Sequence, residues 1–210
     1  MKKIAIFVSG GGSNFAAIHN KIVLGYIPAI IRIVISNNVN CGAVKYAENN
    51  SIPIFIINKT RYKSLQYQES KLMDILLENK IDLICLAGYL KLIPPKIVSY
   101  YKRCILNIHP ALLPKFGGKG FYGIKVHKAV LDSKVSETGA TVHFVDEKYD
   151  CGPIVLQETI KIELTDNADS LAKKVLSIEH TIYPKVIKAF CEKKIFWKNN
   201  QPIIENHIED

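Results

Sequence analysis

Asn107 and His109 stand two residues apart in Cys104-Ile105-Leu106-Asn107-Ile108-His109-Pro110, ahead of Ala111-Leu112-Leu113-Pro114. In a strand, residues i and i+2 project from the same face, so an amide donor and a titratable imidazole are held side by side. Pro110 turns His109, and Pro114 turns Leu113, away from helical geometry, which puts the pair at a strand end. That pair suits a reaction that develops an oxyanion and moves a proton. The plainer reading is a strand whose polar residues meet backbone groups in a turn. Asp150, in Tyr149-Asp150-Cys151-Gly152-Pro153, is by itself ordinary turn chemistry. Paired with His109, its carboxylate would raise the imidazole's pKa and fix its orientation, so that the ring shuttles a proton near neutral pH. No Ser or Cys stands poised as a nucleophile, so direct attack by a substrate amine is the simpler scheme.

A second constellation lies at the start of the chain. Ile4-Ala5-Ile6-Phe7-Val8 is a continuous apolar run ending in Ser9-Gly10-Gly11-Gly12-Ser13-Asn14, and Phe15-Ala16-Ala17-Ile18 opens a helical pattern. Strand, glycine turn and helix start direct backbone N–H groups at an anion; a simple tight turn is the alternative. No lysine of the GxxxxGK[ST] kind follows, so this is not a Walker loop. Gly10 and Gly12 fit G-x-G, but Phe15 stands where a dinucleotide fingerprint has its third glycine. Ser36-Asn37-Asn38, not an acid, ends the second strand. A monophosphate fits better than NAD or ATP.

The elements that must position these residues follow from periodicity. Strands are expected at 4–8, 29–36, 53–57 and 82–87, alternating with a helix opening at 15–18 and helices at 43–49 and 61–79; the last should bury Leu72, Met73, Ile75, Leu76 and Leu77. That alternation implies an α/β fold: a doubly wound, mostly parallel sheet flanked by helices, which binds ligands at the carboxyl ends of its strands. After the fourth strand, Leu90, Leu92 and Ile93 either line an apolar slot for a flat ring or cover the core. A short helix at 97–101 precedes the strand carrying Asn107 and His109. Residues 115–123 hold four glycines in nine positions, a pliable loop of the kind that forms lids. A helix at 126–133, antiparallel strands at 138–146 and 154–163, and a helix at 170–193 broken or kinked near Pro184 complete the chain. One domain is expected over 1–195, with a phosphate-binding half at 1–100 and a catalytic half at 101–195, followed by a loose tail at 196–210. His19, His127 and His207 read as surface or helix residues, His143 as structural, and Glu179 as a helix-surface acid.

Composition narrows the function classes. With 48% apolar and 22% charged residues the chain has the balance of a soluble globular protein. No apolar run approaches the roughly eighteen residues of a membrane span. The N-terminal apolar segment runs into glycines without a cleavage site, so a cytoplasmic protein is expected. Five cysteines are odd in number and none has CxxC spacing, which suggests neither a zinc site nor a disulfide framework. The net charge of +9 comes from 25 lysines against three arginines, scattered rather than blocked. Nucleic-acid readers favour arginine's bidentate fork, so no nucleic-acid partner is expected; a basic field would instead collect small anionic substrates. No HExxH or comparable ligand cluster occurs, so no metal is expected.

Ser9 to Asn14, Asn107-Ile108-His109-Pro110 and Tyr149 to Pro153, occurring in that order, resemble the phosphoribosylglycinamide formyltransferases of purine synthesis, and the resemblance runs from about Lys2 to about Phe190. It implies transfer of a formyl group from the co-substrate 10-formyltetrahydrofolate to the amine of glycinamide ribonucleotide, in a monomer or homodimer. It implies Asn107, His109 and Asp150 as the catalytic trio and Gly12, Ser13 and Asn14 as the phosphate loop. Glu179 would hold the ribose, and Leu90, Lys91, Leu92, Ile93 and Val145 the reduced folate. It also implies a cis peptide at Leu113-Pro114. The chain departs from the family in places. Gly11 replaces a common Asn, Lys91 replaces a common Arg, and the 115–125 loop is longer than usual. The family's substrate-touching loop Arg has only Arg61 or Lys63 as candidates. Three rivals remain. A 10-formyltetrahydrofolate hydrolase would use water as acceptor and normally carries a regulatory domain ahead of its core. Methionyl-tRNA formyltransferase adds a C-terminal RNA-binding domain. A phosphate- or nucleotide-binding module would lack turnover.

Overall fold

The apolar run at the start of the chain becomes β1 (Lys2–Val8), buried from Ile4 onward, as a strand covered on both faces must be. The structure, a computed structural model, describes residues 1–205. It divides into two compact units, Met1–Asn107 and a second beginning at Ile108. The division falls inside a strand, seven residues beyond the expected boundary at residue 100. That strand's opening residues pair with the first unit as far as Asn107.

The first unit continues with α1 (Ser13–Val23), β2 (Ala29–Ser36), α2 (Gly42–Asn49), β3 (Ile54–Ile56), α3 (Leu65–Glu78), β4 (Leu83–Leu86), α4 (Pro95–Tyr100) and the opening of β5 (Ile105–His109). β1 lies between β2 and β4, with β3 outside β2 and β5 outside β4, all parallel. The order reverses between β1 and β4, which is where open parallel sheets part their loops and bind ligands. α3 starts later than the periodicity suggests because Ser64 caps it, accepting from the Tyr67 N–H at 3.0 Å. Its buried face is Leu72, Ile75 and Leu76; Met73 is half-buried and Leu77 exposed. Positions i, i+3 and i+4 share a face that their neighbours turn away from.

The second unit contains α5 (Ile124–Asp132), β6 (Glu137–Phe144), β7 (Ile154–Lys161) and α6 (Ala168–Cys191). β6 and β7 form the expected antiparallel ribbon. α6 begins in a capping box in which Asn167 and Ser170 satisfy each other's backbone donors. It runs unbroken through Pro184 rather than stopping there. The proline removes one backbone donor, but Ile182, Tyr183, Val186 and Ile187 around it are buried, and packing outweighs the lost bond. The expected tail is corrected as well. β8 (Ile195–Lys198) and β9 (Gln201–Ile204) form a hairpin, with Trp197 against Phe144 at 5.0 Å between ring centroids. Alternation along it covers Trp197 and Pro202 and exposes Phe196 and Ile203. Residues 206–210, with His207, lie outside the described residues. The sheet order is β3-β2-β1-β4-β5-β6-β7, a mixed, mostly parallel sheet with helices, as expected.

Gly12 caps α1 in the left-handed region at φ 88°. A Cβ there would lie 2.8 Å from both Cα and Cβ of Ala43 at the start of α2. Gly12→Ala therefore combines backbone strain with a clash, and about 2 kcal/mol or more of stability should be lost. A denaturant midpoint lowered by that amount checks it.

Candidate active site

Asp150 is the meeting point of the second unit's chemistry. Its Oδ2 lies 3.5 Å from Nδ1 of His109, its Oδ1 lies 3.6 Å from Nε2 of His143, and the Gly118 N–H donates to Oδ2 at 2.9 Å. The turn carrying it is shaped for this. Asp150 itself has φ 54°, a conformation Asp tolerates better than most residues. Two residues on, a Cβ on Gly152 would collide with the Phe144 carbonyl, so the ribbon's arms close to contact beside the carboxylate. Burial pushes the Asp150 carboxyl up, but the His143 hydrogen bond, the nearby His109 and the Gly118 N–H outweigh it and hold the group below the ordinary carboxylate range.

His109, at the end of β5, is 3% exposed. Its Nε2 lies 2.8 Å from the Phe116 carbonyl oxygen, which accepts only, so Nε2 carries the proton in this arrangement. Phe116 reaches that position with φ 57°, a strained region for a bulky residue and one found at functional sites. Burial lowers the His109 pKa; Asp150 and the Phe116 carbonyl push back, and His143 adds to the lowering. A ring drawn towards neutrality by burial and towards protonation by two acceptors is suited to taking and releasing a proton. Asn107, on the same strand two residues before, is half-buried and paired in register with Leu86 of β4.

His143, read from the sequence as structural, has its Nε2 3.6 Å from Asp150 Oδ1 and its Nδ1 2.8 Å from the Phe144 carbonyl. Strand alternation alone could not show which face of β6 meets the later turn. His127 is on a helix as expected but is buried, not at the surface, and burial first and then His109 lower its pKa. His19 is half-buried on α1, 3.0 Å from the Tyr46 hydroxyl. Glu179 is buried within α6 rather than on its surface. The Leu113-Pro114 peptide is cis.

In the first unit, the loop after β1 is tied to its neighbours through Ser9. The Ser9 hydroxyl donates to the Asn37 side chain and accepts from the Leu90 N–H at 2.9 Å, and its N–H donates to the Gly88 carbonyl at 3.1 Å. The turns after β1, β2 and β4 thus share one buried serine. Ser13 is exposed and Asn14 buried at the start of α1; Leu90, Lys91 and Leu92 are exposed and Ile93 is buried. Val145 is half-buried just past β6, and Arg61 and Lys63 are exposed ahead of α3. Among the described residues no group of His, Cys, Asp and Glu could hold a metal ion, and no helix is long and apolar enough to cross a membrane.

His109 and Asp150 thus meet beyond the end of β5, and a glycine turn follows β1. The chain belongs to the formyl transferase family, which residues 2–187 match. Among its relatives, the chloroplastic phosphoribosylglycinamide formyltransferase of Vigna unguiculata is 44% identical over 98% of this chain, which spans 66% of that protein's length. The phosphoribosylglycinamide formyltransferase of Haemophilus influenzae is 36% identical, covering 95% of this chain and 92% of the relative. The crystal structure of glycinamide ribonucleotide transformylase 1 from Symbiobacterium toebii superposes with a TM-score of 0.90 at 31% identity, over 98% of this chain and 95% of that one.

Lowered folded-state pKa values set a pH signature. For His109 and His127 the stabilising contribution is complete above the ordinary value of 6.5 and is lost as pH falls through the lower folded values. Unfolding midpoints should therefore drop on acidification below about pH 6.5. His127→Gln should flatten that drop in urea titrations across the same range.

Proposed function

We propose that the protein transfers the formyl group of 10-formyltetrahydrofolate to the amine of glycinamide ribonucleotide, the phosphoribosylglycinamide formyltransferase reaction of purine synthesis. The observation that carries this reading is the buried His109 ring 3.5 Å from the partly buried Asp150 carboxylate, in a chain related to proteins of that name over nearly its whole length.

In this reading the substrate amine attacks the formyl carbon of the donor directly. A C–N bond forms to the amine and negative charge develops on the formyl oxygen, where the Asn107 amide donates. His109 takes the proton the amine loses, Asp150 stabilising the charged ring. As the carbon's bond to folate N10 breaks, that nitrogen receives a proton and the reduced folate leaves. One proton leaves the amine and one reaches N10, so the transfer balances without a metal or redox partner. Gly12, Ser13 and Asn14 hold the substrate phosphate with backbone donors at the start of α1, and Glu179 accepts from the ribose hydroxyls. Leu90, Lys91, Leu92, Ile93 and Val145 hold the folate; the exposed Leu90 and Leu92 are available to a flat ring, and Lys91 offers a point charge rather than a fork. Five free thiols suit a reducing compartment, and we place the protein in the cytoplasm, acting on small molecules as a monomer or homodimer.

The test offers labelled 10-formyltetrahydrofolate with glycinamide ribonucleotide, methionyl-tRNA or water. Formyl transfer to the ribonucleotide amine is expected; transfer to water alone would make the protein a hydrolase. His109→Ala should lower kcat by about 10²-fold or more with substrate affinity little changed, and an equal rate would remove the ring from the mechanism. Ser13→Ala should chiefly raise KM for the phosphorylated substrate, a change absent if the phosphate binds elsewhere.

A further inference from the structure

Thr141 lies on β6 and is fully buried, directly across the ribbon from Gln157 of β7. Its hydroxyl donates to the Ala111 carbonyl at 2.6 Å and accepts from the Leu113 N–H at 3.1 Å and from Gln157 Nε2 at 2.8 Å. A hydroxyl has one proton and two lone pairs, and here all three are used. Gln157 Nε2 also donates to the Leu113 carbonyl at 3.0 Å. Two cross-strand side chains thus grip three backbone groups of the turn that begins just after His109. The same stretch of chain then supplies the Phe116 carbonyl to His109 and the Gly118 N–H to Asp150.

We propose that Thr141, backed by Gln157, is a positioning residue for formyl transfer: its hydroxyl fixes the turn at residues 111–113 and thereby sets the placement of His109 and of the Phe116 and Gly118 backbone around it. This rests on the function proposed above. Removing the hydroxyl strands an amide and a carbonyl away from water, and buried backbone groups do not stay unpaired. The turn moves until they find partners, and the ring moves with it. A displacement of an ångström at a reacting group is enough to lower a rate severalfold to a hundredfold. A polar clamp serves here because an apolar side chain would fill the space without specifying the direction of the turn.

The experiment compares the parent with Thr141→Val, Thr141→Ser and Gln157→Glu. Valine keeps the shape and deletes the hydroxyl, serine keeps the hydroxyl, and glutamate keeps the length but replaces the amide donors with acceptor oxygens. Gln157 is exposed on its strand, so its variant remains informative if Thr141→Val fails to fold. Two readouts are taken: kcat and KM for both substrates, and the histidine ring resonances by NMR, His109 assigned with His109→Gln. The groups around that ring, Asp150, His143 and His127, are unchanged in every variant. Thr141→Val and Gln157→Glu should lower kcat about tenfold or more, with KM for glycinamide ribonucleotide nearly unchanged and the His109 resonances displaced; Thr141→Ser should restore both. Folded variants with parental kcat and parental His109 resonances would overturn the proposal, as would a loss in Thr141→Val that serine does not rescue. A parent that transfers no formyl group would defeat the proposed function instead, and the ring resonances would still decide the positioning role.

Discussion

A carboxylate taken out of water must be paired, and Asp150 is the group on which that constraint falls. An uncompensated buried charge is worth several kcal/mol of destabilisation, so the protein surrounds it with two imidazoles and a backbone N–H. Each of those partners is then held by something else: His109 and His143 by carbonyls of Phe116 and Phe144, Gly118 by the loop it belongs to. The strained backbone at Asp150 and Phe116 is what brings the partners within reach. Satisfying that charge places the His109 ring against Asp150, and the carboxylate raises the ring's pKa against the effect of burial.

The first unit meets a different constraint, and in the function proposed above its glycine turn is where the substrate phosphate binds. Its glycine turn leads into α1 at Gly12, where the close approach of Ala43 leaves no room for a side chain. Ser9 joins the turns after β1, β2 and β4 with donors and acceptors of its own. Turns tied together in this way are ordered in advance, which lowers the entropic cost of binding a ligand there.

Much of the fold was legible in the sequence because the signals were local. Apolar runs ending in glycine turns mark parallel strands, and Asn107 and His109 two apart on β5 need only strand geometry to share a face. Asp150 could be read only by pairing it with a residue 41 positions earlier, through the resemblance to a family. What escaped was non-local. His143 alternates on its strand like any structural residue until the later turn brings Asp150 to it. Thr141 and Gln157 are unremarkable until the ribbon's register places them opposite each other. Pro184 signals a helix break that surrounding burial overrides, and the polar composition after Lys194 hides a hairpin whose covered face rests on one tryptophan.

The central claim is that the Asp150 charge sets the proton affinity of His109 during formyl transfer. The most direct measurement is the pH dependence of kcat for the parent and for Asp150→Asn, each with 10-formyltetrahydrofolate and glycinamide ribonucleotide. Asp150 raises the His109 pKa against the effect of burial, so neutralising it should move the acidic limb to lower pH and lower the plateau rate. An acidic limb and a plateau that coincide with the parent's would contradict the account.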